Sequence, residues 1–336
     1  MAHTIARAVR FSSYGGPGVL ELVEVPIPVP GPGEVVVRVV AAGLNPVETS
    51  IREGRLQRDW PAEFPIGQGT DFAGLVVSVN VDVPGWSAGD AVMGHAVRRA
   101  QANFVVVPST DIIAKPERLS WEVAGSLYTV AMNAWRAVQS ANPQPGRTVL
   151  VHAAAGGVGG IAAQLAKLRG AVVIGTASPD SFDYLRGIGI RPVQHGDGLT
   201  ERLAEIAPNG VDAELDRVGD DSLANVESTD ETNTTVLARI ARMIADRQLT
   251  VPIAAIYPFE QVRAAYRELE AGHAHGKIVL TMDAVAYPHQ KVHGVDVRET
   301  EATRDRGDRA AATEVHEALP PVFGHPHHHP APPAES

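Results

Sequence analysis

The chain has no cysteine among its 336 residues, so disulfides and thiolate–zinc sites are both excluded. No apolar run reaches bilayer-spanning length, so a membrane role is not expected. The first residues, MAHTIARAVRF, lack the apolar centre of a secretory leader, and a cytoplasmic protein is the expectation. Basic clusters are missing too: the formal net charge is −10, which argues against nucleic acid as a partner. What is present is an ordinary globular balance, 44% hydrophobic and 20% charged, in a chain long enough for two domains with their own cores.

The stretch around which the rest is organised is TVLVHAAAGGVGG, residues 148–160. Residues 148–151 form a short β-rich apolar run, the pattern of a buried parallel strand. Three alanines and then Gly156, Gly157, Val158 and Gly159 follow, and Ile161, Leu165 and Leu168 recur at helical spacing. Strand, glycine turn and helix in that order are the setting of a dinucleotide fingerprint. A pyrophosphate must approach backbone N–H groups at a helix N-terminus, where the macrodipole favours an anion and side chains would intervene. On the G-x-G-x-x-G spacing the positions are Ala154, Gly156 and Gly159, with alanine in place of the first glycine. A tight strand–helix turn that binds nothing is the alternative.

Before this stretch, residues 7–40 read as strands punctuated by GGPG and PIPVPGPG, the signature of hairpins or a small barrel. Residues 44–54 form a polar turn and short helix, and PIGQGTDFAG leads into the strand LVVSVNV. Residues 120–139 have one continuous helical period, with Ser120 as cap and Glu122 in the first turn. Beyond the glycines, strands at 171–176, RPVQ and 211–216 alternate with helices at 181–185 and 199–206, which implies βαβ units and a parallel sheet. The alternation stops at the polar stretch 219–235; a helix at 236–246, the strand-like TVPIAAIYPF, a helix through Glu270 and a strand at 277–282 follow. From residue 284 a histidine- and proline-rich composition, ending GHPHHHPAPPAES, reads as a disordered tail.

In this order the segments GPGEVVVRVVAAGLNPVE, GTDFAG, AGDAVMG, AAAGGVGG and HGKIVLT resemble the zinc-independent quinone oxidoreductase branch of the medium-chain dehydrogenase/reductase superfamily, over about residues 5–283. The resemblance implies an α/β chain with a GroES-like β-barrel catalytic domain from residues 1–115 and 251–283. It places a Rossmann domain at 116–250, with NADPH in the cleft between. Zinc-binding relatives carry cysteine and histidine where this chain has Asn45 and Thr70, so no metal is expected. After the turn Arg217–Val218–Gly219 the chain passes to the helix at 236 about 30 residues sooner than relatives do, the size of one strand–helix–strand unit. The Rossmann sheet should therefore end after its fourth strand, and the homodimer that the family forms along that edge should be weakened or lost.

The resemblance also assigns site residues. Asn45, Glu48 and Ser50 should reach the nicotinamide ribose and the substrate pocket, Ser50 standing where relatives carry a larger polar residue. For Asn45 and Glu48 the alternative is local turn chemistry, since asparagine before proline is a turn signal. Tyr128 and Asn133 fall on the helix that faces the cleft in relatives, and either could instead be packing. Ala155, Gly156, Gly157, Val158 and Gly159 should cradle the pyrophosphate, with Val218 and Gly219 beside the cofactor. At the end of the second strand, where NAD enzymes carry an acid for the ribose hydroxyls, this chain has Thr176, Ala177 and Ser178, which leaves room for a 2′-phosphate. Arg186 is the nearby cation. His195 stands either against the adenosine or in a plain surface turn, QHGDG. Together these imply an NADPH-dependent reductase of quinones or α,β-unsaturated carbonyls. A non-catalytic NADPH-binding remnant of the family is the other class.

Overall fold

The computed structural model describes residues 6–58, 60–61, 63–215 and 232–282. Strands β1 (Ala6–Phe11), β2 (Glu21–Val25) and β3 (Glu34–Gly43) open the chain, and helix α1 (Pro46–Arg52) follows. Then come β4 (Ile66–Gly67), β5 (Asp71–Val79), β6 (Ala91–His95), β7 (Phe104–Pro108) and β8 (Ile112–Ala114). Helices α2 (Trp121–Ala124) and α3 (Tyr128–Ala141) lead to β9 (Thr148–Val151), α4 (Gly157–Leu168), β10 (Val172–Ala177), α5 (Phe182–Gly187), β11 (Arg191–Gln194), α6 (Leu199–Ile206) and β12 (Ala213–Leu215). The last described elements are α7 (Asn233–Ala245), β13 (Ile253–Pro258), α8 (Val262–Ala271) and β14 (Lys277–Thr281).

Two arrangements of strands result. A seven-stranded sheet ordered β13-β14-β3-β5-β6-β8, with β7 also paired to β3, and a three-stranded sheet β2-β1-β4 build the barrel-like part. The second is a parallel sheet in the order β11-β10-β9-β12. Strand β14 pairs antiparallel with β3 through Leu280 and Ala42, so the end of the described chain returns to the sheet that the beginning made. One core gathers around α3, α4, α7 and the parallel sheet, and another fills the barrel from Val9 and Phe11 to Phe259 and Tyr266.

The fold is the α/β architecture the sequence implies, a GroES-like barrel plus a Rossmann-type sheet, with corrections of detail. The continuous helix read over 120–139 is two helices, broken at Gly125–Leu127. The break has a steric cause: a Cβ on Gly125 would stand 2.5 Å from the Ala41 carbonyl oxygen, and one on Gly43 would stand 2.6 Å from the Ser126 Cα. Backbone meets backbone there, with the Gly43 N–H donating to the Gly125 carbonyl at 2.7 Å. The fourth parallel strand begins at Ala213, two residues later than its pattern. Val218, Gly219, most of the polar stretch 219–235 and the C-terminal tail lie outside the described residues. No helix among the described residues is long and apolar enough to cross a membrane.

The Gly43–Gly125 contact locks β3 against α2 two residues before Asn45. Gly43→Ala is therefore expected to lower stability by about 1–3 kcal/mol through overpacking. Urea unfolding followed by tryptophan fluorescence measures it.

Candidate active site

Asp71, the first residue of β5, is fully buried and holds the site together. Its Oδ1 accepts the Thr129 N–H at 3.0 Å and the Thr129 hydroxyl. Thr129 lies in the first turn of α3, so a carboxylate from the barrel caps a helix of the other half, where free N–H groups and the dipole favour negative charge. Its Oδ2 accepts from Asn45 Nδ2 at 3.2 Å. Asn45 Oδ1 in turn accepts from Lys277 Nζ at 2.6 Å, and the same ammonium donates to the Leu44 carbonyl at 2.7 Å. Lys277 is only 4% exposed; burial lowers its pKa, while Asp71 and Glu48 pull in the opposite direction.

Glu48 sits one helical turn beyond Asn45. Its carboxyl accepts the Asn45 N–H at 3.1 Å, half of a capping box at the start of α1, and the Tyr266 hydroxyl at 2.7 Å. Gln101 donates to that same hydroxyl at 2.9 Å. Burial pushes the Glu48 pKa up to about 7, and burial likewise raises that of Tyr266. Arg52, also wholly buried, pairs with Glu270 and lies over the Tyr266 ring at 5.2 Å, which ties α1 to α8. This is the structural ion pair a buried arginine needs.

Between these groups and the glycine turn lies a cleft of about 240 Å³. Leu44, Asn45, Val47 and Lys277 line it from the barrel, Thr129, Val130 and Asn133 from α3, and Gly156 to Gly159 from the start of α4. The cleft brings together Asn45, Asn133, Gly156, Gly157, Val158 and Gly159 of the sequence-expected set. It does not include Glu48, Ser50 or Ala155. Glu48 is turned into the network beneath the cleft, 2% exposed, and Ser50 is carried onto the buried face of α1. Ala155 packs into the core around α3 and α4, and Ala153, at φ +49, lines the cleft instead. Tyr128 is packing: its ring stacks on His95 with centroids 4.0 Å apart.

The glycines have distinct roles. A Cβ on Gly159 would lie 2.3 Å from the Ala153 carbonyl oxygen and 2.6 Å from that of His152, so this glycine lets α4 pack onto the end of β9. A Cβ on Gly157 would meet side chains that line the cleft, Val130 Cγ1 at 2.9 Å and Lys277 Cδ at 3.1 Å. Alanine is accommodated at 154 because its methyl points inward, where a Cβ on Gly175 would stand 2.5 Å from it.

Ser178 and His195 follow Ala177 and Gln194, which are register partners, so both lie at the carboxyl edge of the parallel sheet next to the glycine turn. That is the position where ligands bind open α/β sheets. His195 is exposed and its carbonyl accepts from Arg202. Arg186 is exposed and engaged by Asp183 at 3.0 Å. Sequence reasoning missed Lys277, Asp71 and Tyr266. The available signal for the first was a lysine opening the otherwise apolar strand KIVLT.

A parallel sheet with a glycine turn at a helix N-terminus, facing a polar wall across a cleft, is the setting of a dinucleotide-binding fold. Residues 31–117 match the family model described as "Alcohol dehydrogenase GroES-like domain" and residues 151–280 the one described as "Zinc-binding dehydrogenase", together more than half of the chain. The chain is 35% identical over 199 residues to a chloroplastic quinone-oxidoreductase homolog of Spinacia oleracea and 38% identical over 179 residues to a quinone oxidoreductase of Mus musculus. These alignments cover 56% and 52% of this chain but only 60% and 54% of the relatives' length. The solved quinone oxidoreductase from Coxiella burnetii superposes with a TM-score of 0.68 at 27% identity, over 83% of this chain and all of that one. The chain belongs to the medium-chain dehydrogenase/reductase superfamily, in its quinone oxidoreductase branch.

Two outcomes follow from this geometry. Gly157→Val is expected to remain folded by circular dichroism and to lose cofactor binding, whereas Gly159→Val should unfold at markedly lower temperature, because its side chain meets backbone. The second concerns Glu48, whose folded pKa of about 7 lies above the ordinary 4.5. The stability it contributes is complete below the unfolded value and is lost as pH rises through about 7. Urea midpoints should fall across that window in the natural chain and fall less in Glu48→Gln, which keeps an oxygen for Tyr266 and Asn45.

Proposed function

We propose that this chain is an NADPH-dependent, zinc-independent reductase of quinones or α,β-unsaturated carbonyls. The observation that carries the reading is the cleft itself, in which the N-terminus of α4 and the Asn45–Lys277 pair face the same space. Gly157 leaves a cradle there that any Cβ would fill, and the first N–H groups of α4 suit a pyrophosphate. Relatives named quinone oxidoreductases support the substrate class.

Bound there, the cofactor would supply the hydride, chemistry that is its own. The residues of this chain hold and orient. Gly156 to Gly159 receive the diphosphate, and Ser178, standing where NAD enzymes carry an acid, leaves room for a 2′-phosphate, with Asp180 two residues further on. Asn45, with both hydrogens of its amide facing Asp71 and Glu48, offers the cleft an acceptor through Oδ1 and so suits a hydroxyl donor. The apolar wall of Leu44, Val47, Val130 and Ile278 keeps water away from the reacting atoms.

NADPH should bind more tightly than NADH in a fluorescence titration; equal or reversed affinities would remove the proposed selectivity. Ser178→Asp should weaken NADPH by about tenfold or more while leaving NADH nearly unchanged, because like charges would then be juxtaposed. NADPH oxidation measured across a panel of quinones and enals tests the reaction, and binding without turnover would instead favour a non-catalytic nucleotide-binding protein.

A further inference from the structure

We propose that Lys277 is the positioning residue of this reduction, a strap that keys the Asn45 carboxamide to the glycine turn. The inference deepens the reading above and rests on it. The side chain of Lys277 crosses the cleft floor in two pieces with different tasks. Its stem lies against the turn, where Cδ is 3.1 Å from the position a Cβ on Gly157 would take. Its ammonium ends on the barrel side, donating to Asn45 Oδ1 at 2.6 Å and to the Leu44 carbonyl at 2.7 Å. A single side chain thus spans from the residue that makes room for the diphosphate to the residue that faces the reacting end.

The charge is required as well as the length. Asp71 is fully buried, and Asn45 stands between it and the ammonium. Orientation of the carboxamide follows from this polarity: its amide hydrogens turn to the carboxylates of Asp71 and Glu48, and its oxygen turns to the cation. Asp71 and Glu48 select the amide hydrogens, and the ammonium is the donor that holds the oxygen in place on the other side, since Leu44 offers only a carbonyl there. Two of the three ammonium donors are engaged by protein oxygens, of Leu44 and Asn45. An uncharged side chain that keeps the stem as far as the Cδ position would keep the packing against Gly157 and lose the orientation.

Lys277→Met makes that separation. It should bind NADPH within about threefold of the natural chain, because the contacts of the α4 N-terminus survive, and lose about 100-fold in kcat through misplacement at the reacting end. Since the chain has no cysteine of its own, Lys277→Cys alkylated with 2-bromoethylamine in urea and then refolded places a lysine analogue at this position alone. Recovery of most of the lost kcat upon alkylation would support the strap and separate it from misfolding. A kcat within about threefold of natural in Lys277→Met, an equal loss in binding and turnover, or no recovery on alkylation would overturn it. The side-chain amide resonances of Asn45 give a reading independent of turnover: they should shift in Lys277→Met, and unmoved resonances would also overturn the strap. If the natural chain binds NADPH and oxidises none with any quinone or enone, the reading of the reaction fails, and the Asn45 resonances still decide whether Lys277 sets that carboxamide.

Discussion

A carboxylate with no access to water constrains this molecule more than any other single group. Burying Asp71 is tolerable only because each oxygen is answered: the start of α3 and the Thr129 hydroxyl on one side, Asn45 and, through it, Lys277 on the other. Leaving such a charge unanswered costs about 3–5 kcal/mol, so the three segments that supply the answers are held in register with β5. They come from the beginning, the middle and the end of the described chain. Residue 45 follows the third strand, residue 129 opens the helix that leads into the parallel sheet, and residue 277 begins the last strand. The hub therefore fixes where the barrel ends and the nucleotide-binding half begins, and the cleft lies on its surface.

Polar order beneath the cleft has a second layer. Glu48, Tyr266 and Gln101 continue the network away from the opening, and Arg52 with Glu270 anchors α1 to α8. None of these side chains needs to touch a ligand to matter. They hold the short helix whose first residue faces the cleft, and α8, whose end supplies Leu269 to its wall. The glycine turn is held from the other side by direct backbone packing, Gly159 on the carbonyls of residues 152 and 153. The rigid elements thus converge on a small open volume.

The fold was legible in the sequence because its signals are periodic and local: alternating strands, a strand–glycine–helix unit, and motifs in family order. Even there, tertiary contact overrode period where Gly125 meets Ala41, and one helix became two. The site was legible only in part. Glycine spacing located the turn but could not tell which alanine takes a left-handed backbone, and Ala153 rather than Ala155 faces the cleft. Counting along α1 from Asn45 could not show that Glu48 and Ser50 are turned inward, because the helix is buried nearly all round. Asp71 and Lys277 stood in plain motifs, GTDFAG and HGKIVLT, yet their partnership spans about 200 residues of chain, and no local pattern encodes it.

On the proposed function, nucleotide lies along the start of α4 with its reacting end toward Asn45 and Lys277. A crystal structure of the chain soaked with NADPH tests it most directly. Diphosphate density is expected over the amides of Gly156 to Gly159, with a nicotinamide end within hydrogen-bond reach of Asn45 Oδ1 or Lys277 Nζ. Nucleotide bound elsewhere, or a bare glycine turn in crystals at saturating NADPH, would contradict it.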